Sequence, residues 1–270
     1  MNMLLKAALG LVSIYAVVVF VVWLGQRRLL YVPDPRRIPP ASVGLSGVTE
    51  QEFQTADGNR LVVWRASPHS GRPTVLYFHG NAGNLASRSG RMARYQALGY
   101  GVAMMSYRGY GGSTGQPSEK DNVADARHLY RQLVAEGVAP VDIVLYGESL
   151  GSGVAVQLAV SEPVGAVVLD APYTSILNLA LRNYFYLPVR PLLVDRYESD
   201  RRITSISAPV LIMHGRRDGL IPVEMGEALF AMAVEPKTLV VFPKGGHSDL
   251  DEYGAVQIVH DWLATIRSGK

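Results

Sequence analysis

Apolar and polar positions follow three different rhythms along this chain. From Ala7 to Leu24 the residues are almost continuously apolar. A helix over that stretch reaches about 27 Å, close to the roughly 30 Å hydrocarbon core of a bilayer. Trp23 stands near its end, where an aromatic ring favours the interface. Gly25-Gln26-Arg27-Arg28 follows where a cleaved signal peptide would carry small-x-small residues, so an uncleaved anchor is expected. Between Tyr31 and Ser46 lie Pro33, Pro35, Pro39 and Pro40, a density that denies helix and central strand and marks a linker or an extended lead-in. Thr49–Thr55 and Arg60–Arg65 then alternate as strands, with Asp57-Gly58 as the hairpin turn.

From Thr74 onward, short apolar runs alternate with amphipathic stretches. Buried strands are expected at 74–78, 101–107, 143–146, 166–169, 209–213 and 238–242, and helices at 86–98, 121–136 and 255–266. Such alternation after an antiparallel start gives an α/β fold, a mostly parallel sheet with helices on both faces. Ligands meet sheets of this kind at the carboxyl ends of the strands, where His79, Asn81, Ser149, Asp170, Asp218 and His247 all fall. The organisation expected is a membrane anchor over 1–30, a Pro-rich linker over 31–47 and one domain over 48–270. Within that domain the 38 residues Ala171–Ala208 form an insertion rich in aromatic and aliphatic side chains, read as a lid, although its first part has the spacing of a helix that buries itself on the sheet.

The run Leu145-Tyr146-Gly147-Glu148-Ser149-Leu150-Gly151 joins an apolar strand to a helix of small residues. Gly-x-Ser-x-Gly at such a turn forces the serine into a strained backbone and presents its hydroxyl beside a helix amino end. Gly147 and Gly151 leave the room this needs, and Gly153 is expected to let the helix lie close to the sheet.

Composition narrows the chemistry. The chain has 270 residues, 48% of them hydrophobic, enough for a full core plus an appendage. It contains no cysteine, which excludes disulfides, thiolate catalysis and cysteine zinc sites. The net charge is +3 with no basic face or motif for nucleic acid. Arg27, Arg28, Arg36 and Arg37 follow the apolar span, against Lys6 before it, and the positive-inside rule then puts the following domain in the cytoplasm. No His/Asp/Glu spacing suggests a metal, the glycines at 109, 111, 112 and 115 lack the ending of a phosphate loop, and no cofactor is called for.

A serine hydroxyl needs a base, and the base needs an anion to hold its tautomer. His247 follows the last strand in Gly-Gly-His-Ser, and Asp218 follows the strand before it in His-Gly-Arg-Arg-Asp. Asp170 also ends a strand and competes for the acid role, but Ser149, Asp218, His247 is the chain order expected of this fold. His214 and Glu148 are read as packing residues, and His69, His128 and His260 as surface ones.

His79-Gly80-Asn81, Gly147–Gly151, His214–Asp218 and Gly246-His247, in that order on those strands, resemble the α/β-hydrolase superfamily over about residues 48–267. Phe78–Asn84 and Tyr107–Ser113 are similar to a narrower branch of membrane-anchored α/β-hydrolase-domain proteins. The resemblance implies a serine hydrolase with Ser149 as nucleophile, His247 as base and Asp218 as its orienting acid. It also implies an oxyanion hole from the backbone N–H groups of Asn81 and Leu150, with His79 shaping that loop. Some members of the branch are depalmitoylases attached through a cysteine-rich amino terminus, which this chain lacks. An esterase or thioesterase acting on a small-molecule or lipid-like acyl substrate is the first expectation. A peptidase of the prolyl-oligopeptidase kind is the alternative, and a noncatalytic binding protein on the same fold is the alternative of another class.

Overall fold

The computed structural model describes residues 2–268. The chain begins with α1, Met3–Leu30, which buries none of its residues and has a mean hydropathy of 2.5 over an 18-residue window, long and apolar enough to cross a membrane. The Pro-rich stretch that follows is extended as far as Pro39, then, against the expectation that its prolines deny helix, makes a 3₁₀ turn at Pro40–Val43 with Pro40 at the first position, where no N–H is needed; nor is it a free tether. Its strand β1, Val32–Pro33, pairs with the residues Ala82–Gly83, and the Asp34 N–H donates to the Gly83 carbonyl at 3.0 Å. Tyr31 is buried.

The main sheet opens with β2, Thr49–Gln54, and β3, Arg60–Ala66, an antiparallel hairpin across Asp57-Gly58. Then come β4, Thr74–Phe78; the short β5, Ala82–Gly83, that receives β1; α2, Ser89–Ala97; and β6, Gly101–Met105. They are followed by α3, Glu119–Ala135; β7, Ile143–Glu148; α4, Leu150–Ser161; and β8, Ala166–Asp170. The insertion carries α5, Ile176–Asn183, and one turn of helix, α6, at Val189–Leu192. The chain ends in β9, Val210–Gly215; α7, Val223–Met232; β10, Lys237–Phe242; and α8, Ala255–Ser268.

The eight strands lie in the order β10-β9-β8-β7-β4-β6-β3-β2. The pairs from β10 through to β6 are parallel and the β3 pairs are antiparallel. All five residues of β4, β6 and β8 are buried, because helices cover both faces; β2, at the edge, is largely exposed and buries Phe53. One apolar cluster lies under α3 and α4, the other under α2 and α8.

Helix starts carry the expected chemistry: the Ser118 hydroxyl accepts from the Asp121 N–H, and Ser175 from Asn178. The strand read over 101–107 ends at Met105, and the helix read from residue 86 opens with a 3₁₀ turn at Leu85–Arg88. Helix α7 was not apparent in the sequence. It is short, interrupted by Gly226, and flanked by Pro222, so no apolar stripe of useful length marks it.

The insertion is partly buried and partly exposed. Its stems are core: Tyr173, Tyr197 and Ile203 are fully buried. Only its middle stands away from the domain, with Tyr184, Phe185 and Tyr186 exposed.

Candidate active site

Ser149 sits between the end of β7 and the first turn of α4 with φ 49° and ψ −114°, outside the regions open to most L-residues. The strain is held from two sides. The Ser149 N–H donates to the Asp170 carbonyl at 2.8 Å, and the Ser152 hydroxyl donates to the Ser149 carbonyl at 2.6 Å. A Cβ on Gly151 would run into the Phe78 carbonyl, so only glycine lets α4 start this close to β4. Gly153 serves a different purpose from the one expected: a Cβ there would meet Tyr173 and Tyr197, so it makes room for the stems of the insertion rather than for the sheet.

The structure brings three of the sequence-predicted residues into one chain of contacts. His247 Nε2 lies 3.0 Å from Ser149 Oγ, and His247 Nδ1 lies 2.7 Å from Asp218 Oδ2. With a proton on Nδ1 donated to the carboxylate, Nε2 is left to accept the serine proton. The Asp218 side chain has no exposed surface. Its other oxygen accepts the N–H groups of Leu220 and Ile221, both at 2.8 Å. Burial alone would raise the Asp218 carboxyl, but His214, His247 and the Ile221 N–H outweigh it and hold the group well below the usual carboxylate range. Burial works to lower His247, yet Asp218 prevails and raises it above its ordinary value.

Asp170 is elsewhere engaged. Arg91 meets it at 2.8 Å and the Tyr146 hydroxyl donates to it at 2.7 Å. Arg91 also pairs with Asp251 at 2.9 Å and lies over the Tyr146 ring. Glu148 turns to the same side, paired with Arg88 at 2.8 Å and bonded by the Tyr77 hydroxyl. Burial pushes the Glu148 carboxyl up, but Arg88 and Arg91 together bring it far below its ordinary value. Both acids therefore belong to a buried ionic network behind the elbow.

The loop after β4 is shaped by His79. Its Nδ1 lies 2.7 Å from the Gly80 carbonyl, and its Nε2 takes the Tyr107 N–H at 3.3 Å. Burial, with Arg88 nearby, pushes the imidazole down to about 3, so it is a neutral strut. The Asn81 carbonyl accepts from Tyr110 at 2.7 Å and from the Val32 N–H at 2.9 Å, while its side-chain amide donates to the Leu30 carbonyl at 3.0 Å. The Asn81 side chain thus receives the last turn of α1, a role that its loop motif did not advertise. Leu150 opens α4 and its N–H has no acceptor within the helix. Among the described residues, no backbone acceptor outside the helices and strands takes the Asn81 N–H.

Several participants were not foreseen. His214 Nε2 lies 2.9 Å from the Ile221 carbonyl and 3.3 Å from Asp218 Oδ2, so this packing residue also braces the acid; the four-residue spacing in His-Gly-Arg-Arg-Asp was its only signal. His260 is not a free surface residue, since its Nδ1 lies 2.9 Å from the Tyr100 hydroxyl; His69 and His128 are exposed. A knot of Tyr31, Asp195 and Tyr197 ties the end of α1 to the insertion: Tyr31 Oη is 3.0 Å from Tyr197 Oη, and Arg27 meets Asp195 at 2.9 Å.

With this geometry in place, comparison with known proteins identifies its kin. The alpha/beta hydrolase fold family matches residues 73–197. Lysophosphatidylserine lipase ABHD12 of Danio rerio is 31% identical over 260 residues, covering 81% of this chain and 66% of that protein. Human alpha/beta hydrolase domain-containing protein 17B is 32% identical over 208 residues, covering 74% of this chain and 69% of that one. The Pyrococcus furiosus esterase Pf2001 superposes with a TM-score of 0.68 at 20% identity, covering 87% of this chain and 96% of the esterase. The chain belongs to the α/β-hydrolase superfamily, in the branch of the α/β-hydrolase-domain proteins, and is a hydrolase with an amino-terminal helix able to span a membrane.

Proposed function

We propose that the protein is a serine hydrolase that cleaves a carboxylic ester or thioester of a lipid-like acyl substrate, held at the membrane by α1. The observation that carries the reading is the Ser149–His247–Asp218 relay, with contacts of 3.0 and 2.7 Å. Ser149 Oγ attacks the acyl carbonyl and its proton passes to His247 Nε2. The N–H groups of Asn81 and Leu150 donate to the oxyanion. The bond to the leaving group breaks as His247 returns the proton to it. Water, deprotonated by His247, then attacks the acyl carbon, and the acid leaves with Ser149 restored. Asp218 keeps the imidazole in the right tautomer and stabilises its cation.

Two further observations favour an acyl ester over a peptide. Glu148 and Asp170 are paired with arginines, so neither is available to hold a peptide amino terminus. A relative is a lysophosphatidylserine lipase, which supports a lipid-like substrate here. The test is a series of p-nitrophenyl esters. Specificity, as kcat/KM, is expected to rise from acetate to at least hexanoate, since each buried methylene contributes up to about 0.8 kcal/mol. A steady decline beyond acetate, or faster cleavage of aminoacyl amides than of any ester, would favour a small-acyl esterase or a peptidase. The arginines after α1 favour a cytoplasmic catalytic domain, so a carboxyl-terminal reporter active only outside the cytoplasm should stay silent; a strong signal would reverse the orientation.

A further inference from the structure

An apolar cavity of about 240 Å³ lies between α1 and the insertion. Val19, Val22 and Leu29 of α1 form one wall, and Ile176, Leu179 and Leu187 form the other. At one end it reaches Asn81 of the loop after β4 and Leu220, two residues beyond Asp218. Asn81 borders it while Ser149, Asp218 and His247 do not, which makes it a place for a chain rather than for a scissile bond.

The helix that makes this wall is seated by specific contacts. The Gln26 amide donates to the Leu192 carbonyl at 3.2 Å and its carbonyl accepts the Val194 N–H at 2.8 Å. Farther up α1 the Tyr15 hydroxyl donates to the Tyr186 carbonyl at 2.8 Å. Tyr15 precedes the Arg27-Arg28 pair by about 18 Å of helix rise. If the pair marks the membrane surface, the tip of the insertion stands well inside the hydrocarbon. Its composition suits that depth: Tyr184, Phe185 and Tyr186 are 43%, 82% and 59% exposed, a cluster that water would disfavour. Arg182 and Arg190, the charges flanking the tip, are exposed.

We propose that this cavity is the acyl-chain site and that it is filled from within the bilayer, so that α1 is a wall of the binding site as well as an anchor. The substrate class follows: a membrane-resident amphiphile whose single acyl chain lies between α1 and the insertion while its ester reaches Ser149. The volume is below the 300–1,000 Å³ usual for drug-sized pockets, which suits one chain rather than two. This rests on the reading of Ser149 as an acyl-transfer nucleophile.

The experiment uses the full chain in phosphatidylcholine vesicles. Val22→Trp fills the cavity from the α1 side. The ratio of kcat/KM for p-nitrophenyl decanoate to that for the acetate should fall at least tenfold from wild type; a ratio unchanged within twofold overturns the proposal. A second measurement does not depend on that variant folding or on activity. The chain has no cysteine, so a nitroxide on Phe185→Cys is unique. It should collide with oxygen in preference to a water-soluble nickel chelate, unlike a nitroxide on Val141→Cys, an exposed position just before β7, at the end of the sheet away from the catalytic loops. Matching accessibility at the two positions would also overturn the proposal. If wild type takes a fluorophosphonate at Ser149 and turns over both esters while ratio and nitroxide fail, this proposal falls and the reading of Ser149 stands. If wild type neither takes the label nor cleaves either ester, the underlying reading falls with it.

Discussion

Asp170 and Asp218 stand at the carboxyl ends of neighbouring strands, and the linear sequence presents them almost identically. The fold treats them in opposite ways. Asp170 faces the α2 side of the sheet, where Arg91 and the Tyr146 hydroxyl close around it. Asp218 is cradled by two backbone N–H groups and His214, and one of its oxygens is presented to His247. Both carboxyls are buried. What separates the two carboxyls is the partner delivered from a distant part of the chain: an arginine on α2 for Asp170, a histidine after β10 for Asp218.

The comparison can be broken at its sharpest point by removing one charge at a time. Asp218→Asn should lower kcat/KM by about 10⁴-fold in protein that keeps its fold, because the imidazole loses its tautomer and the support for its cation. Asp170→Asn should cost less than tenfold in the folded protein. Steady-state kinetics beside circular dichroism on both variants decide it, and the reverse ranking would move the acid to Asp170.

The next effect lies in stability. Arg91→Met leaves Glu148, Asp170 and Asp251 without a cation they share, in a network whose side chains are nearly out of solvent. Breaking a buried ion pair by removing one partner costs about 3–5 kcal/mol, which denaturant unfolding would register as a lowered midpoint. A midpoint unchanged from wild type would mean that the network does not hold the elbow.

A smaller effect sharpens the picture from the side of the base. Asp218 raises His247 above its ordinary value, and in the proposed mechanism His247 acts as a base only when neutral. The acid limb of kcat/KM should therefore fall through a pKa above about 6.5 in wild type. In Asp218→Asn the ring should titrate at lower pH, because the burial that opposes the charged form remains while the anion is gone. An NMR titration of His247 that does not move between the two proteins would contradict this.

What could be read in advance was local or ordered along the chain. The strand–serine–helix turn needs only contiguous residues, and the strand-end positions of Asp218 and His247 follow from a rhythm of buried runs. The parts that stayed hidden depend on partners far away in sequence. Nothing near Gly153 says that Tyr173 and Tyr197 will arrive there. Nothing near Pro33 says that it will pair with Gly83, or that Tyr31 will share Asp195 with Arg27. Nothing in the sequence around Arg91 says that it will be buried, since its burial makes sense only once Glu148, Asp170 and Asp251 are brought around it. His214 occupies a strand end in either view, and its second contact, with Asp218, emerges only when the loop after β9 turns back.

The central claim is that Ser149 is a nucleophile made reactive by His247. Its most direct test is mass-spectrometric mapping of a fluorophosphonate adduct on the full-length protein. The account predicts one adduct, on the peptide carrying Ser149, absent from Ser149→Ala and slowed by orders of magnitude in His247→Ala. An adduct on another residue, or labelling that survives Ser149→Ala, would contradict it.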